Sequence, residues 1–145
     1  MLRMRLAWPA LVLVLASCTS FPRTPPPEDV AAKRFDSVPD KAVIYLFRPQ
    51  VGFVGDGASI MLDEHLLGTT YPGTYLRLEI APGRHRLAGF AGDSGHFDFD
   101  AQPGRLYFIE QVVMRLMHFD RSHFQVVPEG YGRQVVQRSE LIFSR

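Results

Sequence analysis

Three Pro-Gly pairs, Pro72-Gly73, Pro82-Gly83 and Pro103-Gly104, cut the middle of this chain into short runs. Proline presets φ for the first turn position, and glycine accepts the positive φ that a type II turn needs next. The runs between the pairs have strand texture. In TYLRLEIAPG, Leu76, Leu78 and Ile80 face one way and Tyr75, Arg77 and Glu79 the other. HFDFD turns Phe97 and Phe99 inward against His96, Asp98 and Asp100, and RHRLAGF turns Leu87 inward. KAVIYLFRP has a β-branched and aromatic centre and reads as a strand buried on both faces. IMLDEHLLGT reads as a hairpin turning near Asp63-Glu64, and SHFQVVPE as a last strand. The run LYFIEQVVMRLM contains helix formers, but Tyr107, Phe108, Ile109, Val112 and Val113 favour a strand.

Short strands at this spacing predict an all-β fold, an antiparallel β-sandwich of about seven strands. A doubly wound α/β fold would need helical runs between the strands, and the sequence has none. The one expected helix is C-terminal, over GYGRQVVQRSEL, where Val135 and Val136 can pack and Gly130 and Gly132 weaken the start. The folded domain is expected over residues 40–145, large enough to bury a core without staples.

The residues before it have other compositions. Arg3 and Arg5 form a positive head, Leu6 to Leu15 an apolar core broken at Pro9, and Ala16 and Ser17 a small pair. That core is about half the ~20 residues a membrane-spanning helix needs. Residues 1–17 therefore read as a signal peptide, followed by the chain's single cysteine, Cys18. Residues 18–39 have linker composition, with proline at 22, 25, 26, 27 and 39. Fully extended as polyproline, that stretch reaches ~70 Å at ~3.1 Å per residue. A short helix over Asp29 to Phe35 is weakly signalled.

The tetrad Leu15-Ala16-Ser17-Cys18 resembles the lipobox of bacterial lipoproteins. The resemblance implies a diacylglyceryl group on the Cys18 thiol and cleavage before it. Two or three acyl chains hold a protein stably on a membrane, where one does not. Thr19, rather than aspartate, follows the cysteine, which by the lipoprotein sorting rule implies the outer membrane. The domain itself resembles uncharacterised bacterial lipoproteins with PEGA-like or prealbumin-like β-sandwiches. The resemblance spans about residues 41–127 and rests on Arg48-Pro49, Gly68, Tyr75, Pro82-Gly83 and His85. It departs at Asp63, where Glu64 stands in place of the expected glycine. It implies an envelope location and no established activity.

Charge excludes one partner class. The 16 basic side chains less Arg3 and Arg5 leave 14, against 15 acidic. A balance without a basic cluster does not suit nucleic acid.

Two constellations tempt a catalytic reading. GDSGH, residues 92–96, carries the four-residue motif around the nucleophilic serine of chymotrypsin-like proteases. Ser94 would need a histidine base and an oriented aspartate; Gly, Asp and Ser are also turn residues, and the chain is too short for a two-barrel protease. His118, Asp120 and His123, or His85 with His96 on neighbouring strands, suit zinc chemically. On one strand 118 and 123 face opposite ways, so no metal site and no cofactor is expected. The glycine-rich loop QVGFVGDGAS lacks a Lys-Ser/Thr and a following helix, so it is no phosphate loop. Arg48, Phe53 and Asp56 are its candidate contact residues, and Tyr71, Tyr75 and Tyr131 further surface candidates. The expectation is a non-catalytic binding or structural module, anchored through Cys18 on the periplasmic face of the outer membrane. Its partner would be another envelope protein or the cell wall. A lipid or glycan carrier and a small hydrolase using Ser94 or a histidine metal site are the alternatives.

Overall fold

The computed structural model describes residues 26–49, 57–90, 93–116 and 119–142. Two sheets face each other. One contains β1 (Ala42–Arg48), β4 (Thr74–Ile80), β7 (Leu106–Leu116), β8 (Phe119–Val126) and β9 (Glu140–Leu141), in the order β8-β7-β1-β4-β9. The other contains β2 (Ala58–Leu62), β3 (His65–Thr70), β5 (Gly83–Gly89) and β6 (His96–Ala101), in the order β3-β2-β5-β6. Helices α1 (Pro26–Ala32) and α2 (Glu129–Arg138) lie on the outer face of the larger sheet. The mostly-β, two-sheet architecture and the C-terminal helix agree with the sequence reading.

Strand direction and number differ from it. Nine strands form among the described residues rather than about seven. The larger sheet is mixed, because β1 runs parallel to β7 and β4 parallel to β9. Alternation and turn chemistry reveal strands but not the direction in which distant strands meet. The parallel pairing occurs where β1 is buried at all seven positions. Such a strand has both faces covered, as parallel strands usually do.

Its two faces feed two cores. Ile44, Leu46, Leu76, Leu78 and Ile80 meet Ile60 and Leu87 between the sheets. Phe97 and Phe99 pack against that core as their alternation predicts. Val43, Tyr45, Phe47, Tyr75 and Phe108 point the other way and pack with Ala32, Phe35 and Val136. The rings of Tyr45 and Phe108 stack at 5.1 Å. Tyr75, expected on the surface, is fully buried, because the helices cover the face that simple alternation marks as outward. Burial, and the Asp29 carboxylate accepting its hydroxyl at 2.8 Å, push the Tyr75 phenol up.

The stretch with linker composition is folded from Pro26 on. Proline suits a first helical turn, and Glu28 and Asp29 there oppose the helix dipole. Asp29 also accepts the backbone N–H of Leu141 at 3.1 Å and pairs with Lys33 at 2.7 Å. Lys33 donates to the Ser139 carbonyl at 2.7 Å, and Tyr45 Oη to the Ala32 carbonyl at 2.6 Å. Phe35 adopts φ 59° and packs its ring against both Tyr45 and Phe108, under Arg133.

One of the two glycines of α2, Gly132, has a packing reason. A Cβ on Gly132 would overlap the Phe108 side chain, so its absence lets the helix sit close on the sheet. Gly132→Ala gains about 1 kcal/mol of helix propensity. The overlap costs about 1–3 kcal/mol. A net loss of roughly 1 kcal/mol is expected in urea unfolding; a gain would mean that the helix rides higher than this packing requires.

Candidate functional site

The first polar constellation lies inside the sandwich, at the loop between β5 and β6. Gly89 N–H donates to Gly95 O at 2.9 Å and closes that loop. Inside it, one Asp93 oxygen accepts the N–H groups of Gly95, at 2.8 Å, and of Ser122, at 2.7 Å. The other accepts the Ser122 hydroxyl. Ser122 in turn accepts Gln111 Nε2 at 2.8 Å, and Gln111 Oε1 accepts the Thr70 hydroxyl at 2.6 Å. Thr70 Oγ1 lies 3.1 Å from the Ala58 carbonyl. The chain of bonds thus leaves the smaller sheet at Asp93, crosses β8 and β7, and returns to it at β3 and β2. Thr70, Gln111 and Ser122 are all buried, and no buried side-chain polar atom among the described residues lacks a partner. Satisfied networks of this kind fix register, because any slip strands a buried donor.

This geometry assigns the GDSGH motif. Asp93 is its structural member. Ser94 is exposed and has no hydrogen bond to a histidine among the described residues. Gly95 is required by the fit, since a Cβ there would overlap the Ser122 carbonyl. The network works as a clamp between sheets and contains no nucleophile–base pair.

The second constellation is the β2–β3 turn, at the opposite end of the strands. Asp63 and Glu64 both have positive φ, 48° and 68°. Positive φ at both central positions is the type I′ hairpin pattern, which favours glycine. Asp63 is held there by its bonds. Its N–H donates to Arg86 O at 2.9 Å, and its carboxylate accepts Arg86 N–H at 2.8 Å and His85 Nδ1 at 2.6 Å. His85 Nε2 lies 2.8 Å from the Ala81 carbonyl. Partial burial pushes the Asp63 carboxyl up, but the Arg86 N–H and the His85 ring outweigh it and hold the group below its usual range.

A group so depressed stabilises the fold above its unfolded pKa of about 3.9. That contribution fades as pH falls through the lower folded value. Asp63→Asn is therefore expected to flatten the acid limb of a stability–pH curve below about pH 4. An unchanged limb would remove Asp63 from the acid response. Glu64 carries no such bond. Glu64→Gly relieves its left-handed backbone and is expected to stabilise by about 0.5–1 kcal/mol in thermal unfolding. Asp63→Gly is expected to destabilise at the same turn; equal effects would mean that backbone strain alone rules it.

Beside the turn, Met61, Asp63, Glu64, Arg86 and Ala88 line an open cleft of about 340 Å³. Arg86 is tied to Asp98, its cross-strand partner on β6, by two bonds, 2.6 and 2.9 Å. Asp63 and Arg86 are thus paired at the cleft, while the Glu64 carboxylate lines it without an ion pair among the described residues.

The residues singled out from sequence fall in different places. Cys18, Phe53, Asp56 and His118 lie outside the described residues. Arg48 ends β1 opposite Thr74 and is 5% exposed, so it offers little surface to a partner. As the end of the central strand it is shielded on both sides. His85 and His96 sit on paired strands, but the register places His85 against Phe99 and His96 against Ala88. Among the described residues, no three His, Cys, Asp or Glu side chains gather as a metal would need. Tyr131 is 43% exposed, and its hydroxyl donates to Glu110 at 3.3 Å. Sequence reasoning missed Gln111, whose only signal was one amide at an inward position of an apolar strand.

No protein-family model matches the chain, and no curated protein is significantly similar to it in sequence.

Proposed function

We propose that this protein is a lipid-anchored envelope lipoprotein whose sandwich acts as a non-catalytic binding or structural module. The observation that carries the reading is the order Arg3, Arg5, apolar core, then Leu15-Ala16-Ser17-Cys18. Only seven residues separate that cysteine from Pro26, the first residue of α1. Cys18 takes the acyl chains, and the domain meets another envelope protein or the cell wall. Thr19 supports the periplasmic face of the outer membrane. The two facing sheets suit a domain of the PEGA or prealbumin kind. Its surface is a better candidate for contact than its interior, which side chains fill.

Growth with a clickable palmitate analogue tests the anchor. Label is expected on the mature protein in the membrane fraction and lost in Cys18→Ser, which should also remain uncleaved. An unlabelled, soluble wild-type protein would end the reading. The 340 Å³ cleft supports a second reading, a small-ligand site. A glycan or lipid that raises Tm in wild type but not in Arg86→Ala would favour it.

A further inference from the structure

The strand directions collect several features at one end of the sandwich. β1 ends there at Arg48 and β4 begins at its partner Thr74; β5 ends there at Gly89 and β6 begins at His96. The β7–β8 hairpin overshoots that same end. β1 accompanies β7 only as far as Glu110, whereas β7 and β8 stay paired to Leu116 and Phe119. α1 also starts at this end. Asp29 is bonded to Tyr75 and Leu141, the second residues of β4 and β9. Pro26 is one helical turn earlier.

Among the described residues, this end carries exposed apolar side chains. Phe90, beyond β5, is 47% exposed, and Val112 and Met114 on the overshooting hairpin are 40% and 47% exposed. Arg121 is exposed directly opposite Met114 in the β7–β8 register, on the same face. An apolar side chain beside a long cation suits the boundary of a bilayer, where the cation reaches phosphate and the stem stays apolar.

Chain length supplies the reason for choosing a bilayer over another occupant. Cys18 precedes Pro26 by eight positions. Eight residues span at most about 29 Å when stretched. As a coil they average about 16 Å. A seven-residue strand such as β1 is itself about 23 Å long. A tether of that average reach, shorter than the strand, favours the α1 end as the one near the membrane, with the Asp63 turn at the far end.

We propose that this end lies against the bilayer that holds the anchor, with Phe90 and Met114 entering its interfacial layer and Arg121 at the phosphates. The inference rests on the lipid-anchor reading and adds an orientation. It leaves the cleft and the Asp63 turn facing away from the membrane, open to a partner.

The chain's single tryptophan, Trp8, precedes Cys18, so the mature protein has none. Phe90→Trp and, at the far end, Leu66→Trp then give single-tryptophan proteins, excited where tyrosine does not absorb. Each is purified with its lipid and reconstituted into phosphatidylethanolamine–phosphatidylglycerol vesicles containing tail-brominated phosphatidylcholine. Phe90→Trp is expected to emit blue-shifted and to lose intensity to bromine, and Leu66→Trp to emit as in water, unquenched. Met114→Trp repeats the test if Phe90→Trp fails to fold. Water-like, unquenched emission from the near-end variant in protein that floats with the vesicles overturns the orientation and leaves the anchor standing. A blue shift confined to whole envelopes assigns this end to a protein partner and overturns it too. Wild-type protein that does not float overturns the anchor, and the orientation with it.

Discussion

Asp93→Ala is expected to lower the unfolding free energy by about 3 kcal/mol, while Ser94→Ala changes it by less than about 0.5 kcal/mol. The carboxylate accepts three bonds, two from backbone N–H groups and one from the Ser122 hydroxyl. Hydrogen bonds to a charged group contribute about 1.5–3 kcal/mol each, and a donor left buried adds its own desolvation penalty. Ser122 and Gly95 are both buried, so truncation at 93 leaves donors with no water to turn to. The terms are not additive, because the loop relaxes once its anchor is gone. Urea unfolding of the two variants is the measurement. A catalytic GDSG would show the opposite pattern, with a stable, inactive Ser94→Ala protein. Equal stability of Asp93→Ala and wild type would mean that the inter-sheet clamp contributes nothing.

The same motif illustrates which parts of this molecule its sequence makes legible. Most strands were readable from alternation, as in Leu76, Leu78 and Ile80, and β1 from its unbroken run of residues that favour sheets. Turns were readable because Pro-Gly and Asp-Glu sit between such runs. GDSGH was readable as a loop, but the importance of Asp93 was not. Its partner Ser122 is 29 positions away on β8. Nothing local to either residue encodes that meeting. The parallel pairing of β1 with β7 is hidden in the same way, as is the burial of Tyr75 under helices drawn from both ends of the described chain. The contact residues were the least legible. Arg48 had a surface chemistry, yet its place on a central strand decided its burial.

Starting the protein at Asp40, where linker composition gives way to strand texture, is expected to remove at least about 3 kcal/mol of stability. A chain starting at Pro26 should keep the stability of the whole mature protein. The difference is α1 and Phe35. Removing a buried phenylalanine alone costs about 3–5 kcal/mol when its space stays empty. Phe35 is 7% exposed and contacts the rings of Tyr45 and Phe108. Its left-handed backbone offsets part of that gain, which points to the lower half of the range. The shorter chain also uncovers Tyr45 and Tyr75 and removes Asp29, the acceptor for Tyr75 and Leu141. Phe35→Ala in the full protein tests the ring without the truncation and should expose the α1 segment to protease. Equal urea midpoints for the two chains would make α1 a passive appendage and return the tether to its longer reach. A large difference makes α1 the rigid joint through which an anchor at Cys18 sets the orientation of the domain.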